Sequence, residues 1–227
     1  MEFRSQKTTI GLMLLALPAF GLEFPAKHDH LWKYCAGTLR VSGDAVSFKS
    51  PDHGWEWRYD EIQQAKLEPG ALVVLTYKDR KWRAGLDWQV KLEGDFVAAQ
   101  TLLEENLGRR FVAALAGVVD TPLWKIPVKH LTRFGGSHGV LEVGESRVLY
   151  RTDAKGESRT WTLADIENIS SSGPYQLTLT TFERAGSHYG NRKDFNFQLK
   201  QPLEEERYDT LWRRLHQHKG IRLLETE

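Results

Sequence analysis

The chain has little cysteine and almost no net charge, and each shortage excludes a class of protein. Its single cysteine, Cys35, cannot form an internal disulfide, so a folded state must be stabilised by packing rather than by a disulfide framework. The 31 basic side chains are matched by 30 acidic ones. Because nucleic-acid-binding proteins usually carry a clear basic excess, we expect no nucleic-acid partner.

Catalytic motifs are also missing from the chain. It contains no G-x-S-x-G and no P-loop pattern, and no paired carboxylates or nucleophile with a base stand out. The run 135–139, Gly-Gly-Ser-His-Gly, is superficially like an anion-binding loop. However, no strand precedes it as a nucleophile elbow requires. We therefore predict a protein that is not an enzyme and has no cofactor.

An apolar run near the N-terminus is too short to span a membrane. Arg4 and Lys7 precede about 13 mostly apolar residues, whereas a spanning helix needs about 20. Small residues follow, as at a signal cleavage site. We predict a signal peptide over residues 1–21, cleaved after Gly21, and an exported protein, periplasmic or secreted, with no stable transmembrane span after cleavage. The alternative is an uncleaved membrane anchor.

A segment near the N-terminus recurs about 100 residues later. Phe24–His28 matches Ile126–His130, including the Pro, the Lys and the His. The match continues without a gap through a second set of positions, in which Gly37, Leu39, Val41, Val46 and Phe48 meet Gly139, Leu141, Val143, Val148 and Tyr150. This predicts one unit over residues 22–110, an apolar connector over 111–125, a second unit over 126–220 and a C-terminal tail over 221–227.

Each predicted unit changes its hydrophobic period near its end. Alternating apolar residues, such as Leu39 and Val41, predict short strands. Later apolar residues are spaced three or four apart, which predicts one amphipathic helix per unit. These are Phe96, Ala99, Leu103 and Leu107 in the first unit, and Leu203, Tyr208, Leu211, Trp212 and Leu215 in the second. We expect a mainly β protein with few helices and a packed connector.

This order of elements resembles the pleckstrin-homology (PH) superfold, including its GRAM and bacterial PH-like relatives. The likeness rests on element order and on Gly37-x-Leu39-x-Val41 followed by Trp57-x-Tyr59, and it covers nearly the whole mature chain. It implies two tandem PH-like domains, each a bent antiparallel sheet or partly open barrel of six to seven strands capped by one C-terminal helix. The rival is a small lipocalin-like barrel.

The PH resemblance also implies phosphoinositide binding in some members, through basic residues around the first hairpin loop. Here the corresponding loops, Ser42–Asp44 and Gly144–Ser146, are acidic where a lipid phosphate would need Lys or Arg. We predict no phosphoinositide partner.

Two basic hairpins, each containing an aromatic residue, form the predicted partner surface. Their residues are Lys78, Arg80, Lys81, Trp82 and Arg83 in the first hairpin, and Arg184, His188, Tyr189, Arg192 and Lys193 in the second. Cations beside an exposed aromatic can hold an anion or a glycan by charge and stacking. The alternative is a solvated loop. Trp55 joins this surface because its counterpart is Arg159, so folding does not demand an aromatic there.

The histidines give only a weak indication of metal binding. His28 and His30 have the H-x-H spacing that places two imidazoles on one face of a strand. A site needs a third protein ligand, and His30 is matched by Thr132, so we predict no metal. Cys35 is matched by Ser137 and is interpreted as a small inward-facing residue rather than as a nucleophile.

These observations favour an exported, non-enzymatic interaction module that binds a protein or envelope component through PH-like domains. The partner itself stays unknown. The alternative is a sensor or binder of a small anionic or glycan ligand at the basic-aromatic hairpins.

Overall fold

Strands dominate the structure, as the alternating apolar pattern predicts. The computed structural model describes residues 21–29, 34–80, 83–119, 121–133, 135–185 and 191–220. Within these ranges, fifteen strands join in one sheet, so the prediction of a mainly β protein with few helices is confirmed. Almost all of the predicted signal peptide lies outside the described residues. No helix within the described residues has the length and apolar character needed to cross a membrane.

The strands and helices are named in chain order. The strands are β1 (Leu22–Asp29), β2 (Tyr34–Val41), β3 (Ala45–Lys49), β4 (Gly54–Arg58), β5 (Ile62–Glu68), β6 (Ala71–Arg80), β7 (Arg83–Glu93), β8 (Phe111–Ala113), β9 (Trp124–Thr132), β10 (Gly135–Val143), β11 (Arg147–Arg151), β12 (Arg159–Thr162), β13 (Ile166–Ser170), β14 (Gln176–Arg184) and β15 (Arg192–Leu199). The α-helices are α1 (Gln100–Leu107) and α2 (Glu205–His218). The order across the sheet is β13-β14-β15-β9-β10-β11-β12-β8-β5-β6-β7-β1-β2-β3-β4.

The two repeated glycines lie at corresponding places in two hairpins. Gly37 in β2 lies opposite Ala26, and Gly139 in β10 lies opposite Val128. A Cβ atom on Gly37 would overlap the carbonyl oxygen of Lys49 and the Phe48 ring, and a Cβ on Gly139 would meet the same obstacles at Arg151 and Tyr150. Close approach of the neighbouring strand therefore requires glycine at both positions.

Residues 111–113, at the start of the predicted connector, form strand β8 of the sheet. Strand β8 runs parallel to β5 and antiparallel to β12, with Ala113 opposite both Leu67 and Thr160. Phe111, Val112 and Ala113 are buried. The connector is packed here, as its apolar composition predicts.

Buried side chains form two separate clusters, and β8 contributes Phe111 and Ala113 to the first of them. The first cluster lies within residues 26–113 and includes Leu103 and Leu107 of α1. The second lies within residues 124–215 and includes Leu211 and Leu215 of α2. Each helix therefore covers its own set of inward-facing strand residues, which follows from the three-and-four spacing of its apolar residues.

Candidate functional site

A cleft of about 250 Å³ opens where β5 and the turn after α1 meet the β14–β15 hairpin. Four of its lining residues are arginines and two are aromatic; they are Arg109, Arg110, Arg184, Arg192, Tyr77 and Phe182. The charged residues in this lining are all arginines. We refer to it as the arginine cleft.

Phe182 lies between two guanidinium groups in this cleft. The Cζ atom of Arg109 is 4.4 Å from the ring centroid of Phe182, and the Cζ atom of Arg192 is 4.6 Å from it. Both distances are within the range of cation–π attraction. In β14 the buried positions alternate with half-exposed ones, and Phe182 occupies a half-exposed position. The ring therefore holds two cations at the surface of the cleft.

Two of the arginines are partly neutralised by acidic neighbours. Arg184 Nη1 donates to Asp87 Oδ2 at 2.6 Å and to Gln63 Oε1 at 3.0 Å. Arg192 Nε donates to Glu167 Oε2 at 3.1 Å. Since Arg184 belongs to β14 and Asp87 to β7, the first of these ion pairs also joins the two sides of the cleft.

The other two arginines keep their positive charge without a carboxylate partner among the described residues. Arg110 Nη1 donates to the carbonyl oxygens of Tyr59 and Ile62, both at 2.7 Å, and these acceptors are neutral. Arg109 is exposed. Burial lowers the pKa of nearby Lys219, and the positive charge of Arg109 lowers it further although Glu167 acts in the opposite direction. The cleft is therefore net positive.

The structure brings only part of the predicted hairpin surface into the cleft. Arg184 and Arg192 line it. Lys78 instead forms an exposed ion pair with Glu61, 2.9 Å from Nζ to Oε1. Lys193 points inward, where its Nζ donates to Glu183 Oε1 at 2.7 Å.

The remaining predicted hairpin residues cannot be placed in or out of the cleft. Arg80 and Arg83 belong to β6 and β7, and their side chains lie outside the structural description. Lys81, Trp82, His188 and Tyr189 lie outside the described residues, as does His30.

Trp55 and His28 lie together at another place, away from the arginine cleft. Trp55 is half-buried, and its ring centroid is 4.7 Å from that of His28 and 4.6 Å from that of His53. It also stacks on Phe48, with centroids 5.5 Å apart. Trp55 therefore belongs to a cluster of aromatic rings that includes the imidazoles of His28 and His53.

Sequence reasoning missed the residues that the fold adds to the cleft. Arg109 and Arg110 were not among the predicted site residues; the structure places them in a 3₁₀ turn, Gly108–Arg110, directly after α1. Phe182 and Tyr77 were not predicted. The available signal was that both residues are aromatic and lie on the outward face of a strand, Tyr77 in β6 and Phe182 in β14.

No protein-family model and no curated protein sequence matches this chain. Among solved structures, the C-terminal domain of an unknown protein from Leishmania infantum is similar over 37% of this chain and 81% of its own, with 18% identity and a TM-score of 0.29. A chain of the Spt16D Pob3N heterodimer is similar over 82% of this chain and 99% of its own, with 11% identity and a TM-score of 0.33. Neither similarity bears on what this chain binds.

Proposed function

We propose that this protein is an exported, non-enzymatic binding protein made of two PH-like units, and that it holds a small anionic ligand in the arginine cleft. The units are residues 22–110 and 126–220, joined by the connector 111–125. Two buried clusters, each covered by one helix, support this division. The matching strand registers of β1–β4 and β9–β12 support it as well.

The cation sandwich on Phe182 is the observation that carries the ligand proposal. Arg109 and Arg192 are both exposed, and the ring holds their planar guanidinium groups in place. A guanidinium offers several N–H donors in a fork that fits a carboxylate or a phosphate. Ordering the cations before binding reduces the entropy that a ligand must overcome. A carboxylate, phosphate or sulfated sugar is the ligand class that suits this arrangement.

A titration of the full chain with inorganic phosphate, citrate and a sulfated disaccharide tests the proposal, with an unsulfated disaccharide as the neutral probe. We expect at least one anion to bind, measured by calorimetry, and to raise the melting temperature. Arg109→Ala and Arg192→Ala each remove one charged donor and should weaken binding by about 10-fold or more.

Arg213→Ala is the matched control, because Arg213 is an exposed arginine on α2 whose loss changes the net charge equally. It should bind like the parent chain. Equal affinity in all three variants, or binding of the neutral sugar alone, would show that the cleft is not the site.

A protein partner is the second candidate, favoured by the open side of β4. Strand β12 pairs with β8 on the side that faces away from β11, whereas β4, which follows β3 in the same way, is terminal in the described sheet. An extended segment of a partner could add there as β8 adds to β12. A photo-crosslinking residue at Glu56, exposed in β4, should capture one protein that the same residue at Thr178 in β14 does not capture. Equal capture at both positions would reject this edge.

A further inference from the structure

His28, Cys35 and His53 converge on one point, although the chain separates them. Each offers one metal-ligating atom, and these three atoms all lie within 4.8 Å of one another. Cys35 Sγ is 3.5 Å from His53 Nε2. This set of two imidazoles and one thiol lies apart from the arginine cleft and plays no part in the proposed anion binding.

Two neighbouring strands and one tight turn hold the three side chains in position. His28 in β1 lies directly opposite Cys35 in β2. His53 ends the turn between β3 and β4, where its carbonyl oxygen accepts from Ser50 N at 2.9 Å and from Ser50 Oγ at 2.8 Å. Its N–H in turn donates to Ser50 Oγ at 3.2 Å. Ligands on such fixed elements need little reorganisation to meet a metal ion.

The separation of Cys35 Sγ and His53 Nε2 fits two ligands of a tetrahedral metal site. Zinc bonds of about 2.3 Å to sulfur and about 2.0 Å to nitrogen, at a tetrahedral angle, place these two atoms about 3.5 Å apart. The observed distance from Cys35 Sγ to His53 Nε2 is 3.5 Å. His28 completes a set of three protein ligands, which is the number found where zinc keeps its fourth position open.

The surroundings exclude most of the solvent from one side of the cluster. Cys35 is only 5% exposed. The Trp55 ring lies against both imidazoles, with centroids 4.7 Å from His28 and 4.6 Å from His53. Phe48 lies behind His53, with its centroid 6.0 Å away. An apolar shell of this kind lowers the local dielectric and strengthens the attraction between a cation and a thiolate.

The corresponding pocket of β9–β12 shows that the fold does not require this ligand set. There His130 lies opposite Ser137. Glu157 is two residues before Arg159 of β12, just as His53 is two residues before Trp55 of β4. A hydroxyl and a carboxylate thus occupy the places of the thiol and the second imidazole. Cys35 and His53 are hydrogen-bonded to each other at 3.5 Å in this structure, and the fold does not require either side chain at its position.

We propose that His28, Cys35 and His53 bind one Zn²⁺ ion, with the fourth coordination position taken by solvent or by a ligand. The imidazoles coordinate as neutral groups. The Cys35 thiol loses its proton to the buffer as the Zn–S bond forms, so binding changes no oxidation state.

Titration of the reduced full chain, without a histidine tag, with Co²⁺ and Zn²⁺ tests the site. We expect one Co²⁺ per chain, the intense visible bands of tetrahedral cobalt, and a near-ultraviolet charge-transfer band from thiolate to cobalt. Because Cys35 is the only cysteine, that band can arise from no other residue. Zn²⁺ should displace Co²⁺, abolish both signals and raise the melting temperature.

Three variants separate this site from non-specific binding. Cys35→Ser introduces the residue found at the corresponding position, Ser137, and should remove the charge-transfer band. His53→Gln should weaken Zn²⁺ binding more than about 100-fold, since losing an outer-shell partner alone costs about 10- to 100-fold. His138→Gln changes an exposed histidine elsewhere and should have no effect.

Melting temperatures measured without metal establish whether each variant is folded. Parent-like Zn²⁺ affinity in folded Cys35→Ser and His53→Gln would overturn the proposal. Octahedral Co²⁺ spectra without the thiolate band would overturn it too.

Discussion

The pocket around His28 and the pocket around His130 share a strand register but differ in chemistry. His28 lies opposite Cys35 and His130 lies opposite Ser137. In the first pocket the neighbours are aromatic rings and a second imidazole, His53. In the second pocket the Ser137 hydroxyl lies 2.8 Å from the hydroxyl of Tyr150. A hydrogen-bonded hydroxyl therefore takes the place of the Cys35 thiol.

The same contrast appears where β3 pairs with β4 and β11 pairs with β12. Trp55 lies opposite Phe48, and Arg159 lies opposite Tyr150. Trp55 packs on other aromatic rings. Arg159 is buried and forms two hydrogen bonds with Glu183, at 3.0 and 3.2 Å. The strand register therefore determines which two positions lie opposite each other. The residue types at those positions differ between the two pockets.

The buried acid of the second pocket stays ionised. Burial alone would raise the pKa of Glu183, but the charges of Arg159 and Lys193 outweigh burial and lower it. Lys193 Nζ donates to Glu183 Oε1 at 2.7 Å. Breaking one member of such a network leaves an uncompensated charge in a poorly solvated place. The first pocket contains no described equivalent of this ionic network, so the two should respond differently to substitution.

The largest expected effect is shared by both hairpins. Gly37→Ala and Gly139→Ala should each lower the free energy of unfolding by about 5 kcal/mol or more, because the new Cβ would overlap a carbonyl oxygen of the adjacent strand. Urea unfolding measures the loss. Gly43→Ala is the control, since nothing lies within 4 Å of its Cβ position, and it should stay within about 0.5 kcal/mol. Tolerance of alanine at only one of the two sites would break the correspondence between the hairpins.

Arg159→Ala and Trp55→Ala should lower the free energy of unfolding by smaller and unequal amounts. Arg159→Ala should cost about 3–5 kcal/mol because Glu183 loses its main partner inside the protein. Trp55→Ala removes a half-buried ring and should cost at most about 3 kcal/mol. Adding Glu183→Gln to Arg159→Ala also removes the carboxylate partner of Lys193 and should lower the free energy of unfolding further. A double variant that is more stable than Arg159→Ala would mean that Lys193 does not compensate the charge of Glu183.

The smallest effect is the pH dependence that His130 contributes in the second pocket. Burial lowers the pKa of His130 from its usual 6.5, so the folded state favours the neutral imidazole. The unfolded state then binds more protons, and stability should fall as pH drops below about 6.5, by at most about 1.4 kcal/mol per pH unit. His130→Phe should flatten this part of the urea-unfolding profile, because three aromatic rings surround the site. An unchanged slope would mean that another group titrates.

The strands and the covered faces of both helices could be predicted from local patterns. Leu39, Val41, Leu103 and Leu215 are buried as their spacing indicates, because the period of apolar residues reports which face of an element is covered. The arginine cleft could not be predicted in the same way. Phe182 and Arg109 come from separate elements, and no local pattern encodes which elements will lie side by side.

The sequence by itself determined the mainly β character and the presence of the two helices. These properties depend on backbone sterics and on residue spacing, which are local. Only the tertiary structure decided that Cys35 meets His28 and His53, and that Arg109 and Arg192 share the Phe182 ring. Such meetings depend on strand register and on the turn that returns the chain. A sequence pattern contains both partners but not the contact between them.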